Sequence, residues 1–240
     1  MLTYATLKDK AREFLAATSL THEEFARLLP VFAAAMAALY PADKTVEGKP
    51  RQRQAGGGAK GVLRTLADQL LFILVYQKTY PLQTMHGLQF GLSQPPTNYW
   101  IQRLLPVLHR ALAELKLTPE REAHRVATSA LVTEGAPDLL IDGTERRRQR
   151  PQAAEQQVAH YSGKKKAHTD KNLLLVNEHT GKVVYLGPTL AGKTHDKKAA
   201  DETALTFPAG ATLGKDTGFQ GYEPQGVLTT QPKKSLKARS

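Results

Sequence analysis

Two aspartates, each closing a short run with apolar residues and each followed by glycine and threonine, are the residues best placed to do chemistry. Asp142 ends Leu139-Leu140-Ile141 and precedes Gly143-Thr144, while Asp216 follows Ala211-Thr212-Leu213-Gly214-Lys215 and precedes Thr217-Gly218. A buried strand delivers its last residue to the rim of a sheet. If the two strands are neighbours, the carboxylates converge. The chain has no cysteine, and a pair of carboxylates with few candidate histidines favours a hard, oxygen-liganded cation, Mg2+ or Mn2+. Two such ions suit an in-line phosphodiester displacement. For either aspartate taken alone, the competing reading is a turn cap.

Cations crowd the first aspartate along the chain. Arg146, Arg147 and Arg148 follow it, and Lys164, Lys165 and Lys166 lead into the next apolar run, where they are expected to flank Asp142 and neutralise DNA phosphates. His195 and Asp196, after Gly192-Lys193-Thr194, are possible further ligands or phosphate contacts; a helix start capped by Thr194 is the alternative.

Short apolar runs predict the strands that carry this chemistry: Leu139 to Asp142, Asn172 to Asn177, Lys182 to Leu186 and Ala211 to Asp216. Glu178-His179-Thr180-Gly181 reads as a hairpin turn, and 194–204 as a helix. Asp170 stands where an apolar residue would be expected to enter the second strand. Upstream, the period is helical. One helix is expected over Leu7 to Ala17, and a second begins in a capping-box pattern, Thr21 with Glu24, and runs through Pro30 to Leu39. From Pro41 to Gly61 the composition turns charged and glycine-rich, suiting a flexible arm whose Arg51, Arg53 and Lys60 could lie along a DNA backbone. Leu63 to Lys78, a piece beginning at Pro81, and a third opened by Ser93 have helix-turn-helix spacing. That motif would present Ser93, Gln94, Thr97, Asn98, Gln102 and Arg103 to the major groove; a helical bundle with a wet polar face is the alternative.

With 33 Lys+Arg against 22 Asp+Glu the formal charge is +11 and the pI about 9.8, which favours polyanionic partners. Hydrophobic residues make up 41% of the 240 positions, enough for a substantial core. No run approaches the about 20 apolar residues needed to span a bilayer, and no signal-peptide pattern opens the chain. The expected setting is the cytoplasm.

The strings LLFILVYQKTYPLQTMHGLQFGLSQPPTNYWIQRLLPVL, LLIDGTERRRQRP, YSGKKKAHTDKNLLLV, GKTHDKKAADE and LGKDTGFQGY resemble DDE-type transposases of the insertion-sequence-five group, from about Thr21 to about Pro232. The resemblance implies a bacterial, nucleoid-associated enzyme. Its helix-turn-helix domain would read terminal inverted repeats, and its ribonuclease-H-like domain would bind two divalent ions. It further implies Asp142 and Asp216 as catalytic, metal-holding residues, and homo-oligomers in synapsis. It also implies a third acid, a glutamate on a later helix; the tail to Ser240 carries none, and Glu223 is the only acid after Asp216. The expectation is therefore an α+β or α/β chain with an incomplete ribonuclease-H-like mixed sheet, a C-terminally truncated transposase of impaired activity. An inactive DNA-binding fragment that regulates transposition, or a pseudogene product, is the alternative. The expected layout is N-terminal helices over 1–48, a basic linker over 49–61, the helix-turn-helix over 62–117, a connector over 118–134 and the catalytic domain over 135–240.

Overall fold

The computed structural model describes residues 1–45, 48–52, 61–133 and 137–232, and the chain forms two compact units, Met1–Leu117 and Thr118–Ser240.

The first unit is helical: α1 (Tyr4–Leu7), α2 (Ala11–Thr18), α3 (His22–Leu39), α4 (Leu66–Thr79), α5 (Gln83–Phe90) and α6 (Gln94–Glu114). The expected first helix is split into α1 and α2. The α3 capping box is made in full: Glu24 N donates to Thr21 Oγ1 and Thr21 N donates to the Glu24 carboxylate, which satisfies two otherwise orphaned amides. Seven consecutive residues of α4, Leu70 to Tyr76, are buried, as expected of a helix surrounded on all sides. Phe14, Phe25 and Phe32 share one core with α4, Phe90 and Leu104. The stretch 1–48 and the helix-turn-helix stretch are therefore packed together rather than forming separate bodies. Gly91 ends α5 at φ +69°, a left-handed conformation that glycine adopts without penalty, and α6 starts three residues later.

The second unit opens with a 3-10 turn (Ala123–Thr128) and α7 (Ala130–Thr133). It continues through β1 (Asp138–Arg147), α8 (Ala154–His160), β2 (Tyr161–Ser162), β3 (Ala167–Asn177), β4 (Val183–Ala191), α9 (Asp196–Thr203) and β5 (Thr212–Lys215). A second 3-10 turn (Thr217–Phe219) then leads to β6 (Leu228–Thr230). β3 pairs antiparallel with β1, β4 and β2, whereas β5 runs parallel to both β1 and β6. Three antiparallel strands crossing over through a helix into parallel ones make an α+β fold, an incomplete ribonuclease-H-like mixed sheet. Leu139, Ile141, Leu173, Leu175, Val184 and Leu213 form its core with Val126 and Val132 of the connector. Among the described residues, no helix is long and apolar enough to cross a membrane.

Three strands, β1, β3 and β4, are longer than expected. β1 continues past Gly143 because its polar residues find partners on β3: Glu145 lies opposite Lys171, Arg146 opposite Asp170 and Arg147 opposite Thr169. Asp142 is thus in mid-strand, and Arg146 and Arg147 lie on a strand rather than a loop. Asp170 has a reason to be in β3, since it pairs with Arg148 at 2.9 Å and His160 at 3.0 Å.

Candidate active site

The parallel register of β1 and β5 ends at Ile141 opposite Lys215. Asp142 and Asp216 are the next residues along, so they stand side by side where β5 stops. Ile141 and Lys215 point inward and are buried, leaving both aspartates exposed. They open on one groove of about 620 Å3 that also involves Gly214, Thr230 and Gln231.

Each carboxylate is aimed by a nearby backbone amide, Asp142 within strand β1 and Asp216 at the turn after β5. Gly143 N donates to Asp142 Oδ1 at 2.7 Å and Gly218 N donates to Asp216 Oδ1 at 2.8 Å. Gln231 Nε2 donates to the Asp216 carbonyl at 2.7 Å. Among the described residues, nothing bonds the second oxygen of either carboxylate, and two unencumbered anionic oxygens fit a hard divalent cation. No group of three His, Cys, Asp or Glu side chains able to hold a metal gathers among the described residues. Glu223 does not help: Lys215 Nζ donates to it at 2.5 Å and Thr229 Oγ1 at 2.5 Å. These bonds, the one from Lys215 foremost, hold its carboxyl below the ordinary range.

Beneath β1 lies an ionic cluster. Lys171, 5% exposed, reaches Asp196 at 2.7 Å and Glu145 at 3.6 Å. Burial raises the Glu145 carboxyl, but donors on Ser162 and Thr169 together with the Lys171 ammonium outweigh it and hold it low. Asp196 is the first residue of α9. His195, not Thr194, is the residue preceding that helix; it is exposed and makes no capping bond. Sequence reasoning missed Glu145 and Lys171 as a pair, because both lie in the polar halves of β1 and β3, beyond the apolar runs that marked the strands.

The cations expected around Asp142 are spread more widely. Lys164, Lys165 and Lys166 form the exposed turn between β2 and β3. Lys166 precedes Leu174, the residue opposite Asp142, by eight positions, about 26 Å at ~3.3 Å per residue, so these lysines do not flank the aspartate. Arg148 is bound to Asp170, and Arg146 donates to Asn172 Oδ1 at 2.8 Å. Arg147 has no side-chain partner among the described residues.

On the first unit, Ser93, Gln94, Asn98 and Gln102 are exposed along the start of α6. Gln94 donates to Gln83 at 2.6 Å and Gln83 donates to Asn98 at 3.0 Å, so a polar relay links α5 to α6. Thr97 is fully buried and its hydroxyl donates to Ser93 O at 2.8 Å; its spacing from Ser93 turns it inward, and it offers no group to a groove. The Arg103 guanidinium lies 3.7 Å over the Tyr40 ring. Arg51 is exposed, its Nε donating to Lys44 O at 2.7 Å; Arg53 and Lys60 lie outside the described residues.

Known families divide along the same line. Residues 62–114 match the family described as helix-turn-helix of DDE superfamily endonuclease, and residues 141–239, which contain both aspartates, match DDE superfamily endonuclease. The chain is thus similar to DDE-superfamily endonucleases in two separate stretches, one in each unit. Endonucleases of this superfamily use divalent metals. A relative described as "Probable transposase for insertion sequence element IS702", from Microchaete diplosiphon, is 22% identical over 200 residues, 83% of this chain and 68% of that protein. No solved structure matches the chain.

Proposed function

We propose that this chain is a transposase of the insertion-sequence-five group, which binds terminal inverted repeats and cuts and joins DNA at the Asp142–Asp216 groove. The observation that carries the reading is the β1–β5 register, which leaves two carboxylates with free oxygens side by side on one open groove. A divalent cation, Mg2+ or Mn2+, bound there supplies Lewis acidity for phosphodiester displacement. Asp142 and Asp216 hold it, and the Gly143 and Gly218 amides fix the inner oxygen of each carboxylate so that the outer one faces the groove. Arg147 meets the backbone of the DNA being cut. Ser93, Gln94, Asn98 and Gln102 read base edges, while Arg51, Arg103, Arg146 and Lys164 to Lys166 neutralise phosphates further along the duplex. The protein works on nucleoid DNA in the bacterial cytoplasm and pairs two ends as a homo-oligomer.

A second reading, a repeat-binding protein that competes with an active transposase, is favoured by one observation: two carboxylates rather than three meet among the described residues. Nicking of labelled inverted-repeat duplex in Mn2+ separates the two. Nicking lost in Asp142→Ala, with the mobility shift retained, supports the enzyme. A mobility shift with no nicking supports the competitor.

A further inference from the structure

One carboxylate closes on the backbone beside both aspartates. A methyl group built on Gly143 would lie 2.5 Å from Asp196 Oδ1, and one on Gly218 would lie 2.8 Å from Asp196 Oδ2 and 3.0 Å from Asp216 Oδ1. Gly143 and Gly218 are the residues whose amides aim Asp142 and Asp216. Asp196 is therefore wedged at once against the β1 backbone at Gly143 and the turn at Gly218, in a space that no side chain larger than hydrogen could share.

The wedge is itself fixed. Lys171 Nζ donates to Asp196 Oδ1 at 2.7 Å and to Thr194 O at 2.7 Å, and also faces Glu145. Its side chain is 7% exposed, and a buried ammonium holds its partners tightly because leaving it unpaired is expensive. β3 thus anchors the start of α9 under β1 and the turn after β5.

We propose that Asp196, held by Lys171, is the positioning residue that sets the spacing between Asp142 on β1 and the Asp216 turn and thereby the affinity of the pair for a divalent cation. The inference rests on the reading that those aspartates share a cation. Supporting side chains of this kind change metal affinity by roughly 10–100-fold when altered.

The test is Mn2+ binding to the full chain, followed by the electron paramagnetic resonance signal of the free ion. Asp196→Asn keeps the side-chain shape and leaves Lys171 paired with Glu145, so the sheet should fold. Gly143→Ala alters no charge but drives a methyl into Asp196. Each is expected to weaken Mn2+ binding roughly tenfold with a cooperative melt and an unchanged inverted-repeat mobility shift. Wild-type affinity in a folded Asp196→Asn or Gly143→Ala protein would overturn the positioning role while leaving the aspartate pair intact. Equal Mn2+ binding by the wild type and Asp142→Asn would instead overturn the underlying reading, and this inference with it.

Discussion

At Asp142 and Asp216 the decisive feature is which oxygens are occupied. One of each carboxylate accepts from a nearby backbone amide, and the other has no partner among the described residues. The sequence made their meeting conditional on the two strands being neighbours; the β1–β5 pairing supplies that condition, with Asp142 in mid-strand rather than at a strand end. The Lys171–Asp196 cluster was not legible, because its members come from three elements whose order in the sheet a single sequence does not state. The lysine run was misplaced for the same reason: a hairpin carries it away along β3. In the proposed DNA-reading role, the exposed Gln102 would reach a base edge. Gln102→Ala is expected to cost about 1–3 kcal/mol of discrimination against altered repeats. Arg147→Ala should weaken all duplexes alike and lower the slope of log K against log salt by about 1. Competition binding with repeat and random duplexes at several salt concentrations checks both.

Among the elements, α5 carries a liability that composition does not reveal. His86 is fully buried against Phe72, Tyr76 and Phe90, and among the described residues neither ring nitrogen makes a well-formed hydrogen bond, the nearest candidate being the Phe72 backbone. Burial pushes its pKa from 6.5 down to about 4. The unfolded chain therefore binds the extra proton first, so stability is complete above pH 6.5, falls as the pH drops toward 4, and is lost no further below. A drop of 2.5 units corresponds to about 3 kcal/mol. Chemical denaturation of the helical unit between pH 7 and pH 4 should show this loss, and His86→Leu should remove most of it. The helices themselves were readable from period and caps, with α3 beginning at the expected Thr21–Glu24 box. Strand ends were less so. β1 and β3 extend through charged residues that only cross-strand pairing, such as Glu145 opposite Lys171, makes tolerable.

At the scale of the whole molecule, two units that each own a core meet after Leu117, at the start of the polar connector rather than beyond residue 133 where the strand period begins. The excess of 11 positive charges favours polyanionic partners but does not assign roles to the two units; the proposed division between a reading and a cutting unit rests on the helix-turn-helix match over 62–114 and the register of β1 with β5. Separate cores predict separable functions. Asp142→Asn should leave the mobility shift on inverted repeats unchanged, while Gln102→Ala should leave Mn2+ affinity unchanged, measured on the same preparations.

The central claim, that Asp142 and Asp216 hold one cation between them, is tested most directly by a double-mutant cycle in Mn2+ affinity, using Asp142→Asn, Asp216→Asn and the combined variant in isothermal titration. A shared ion predicts that either single change removes most of the binding and that the double variant is little worse than either. Wild-type affinity in either single variant, or losses that simply add in the double, would contradict it.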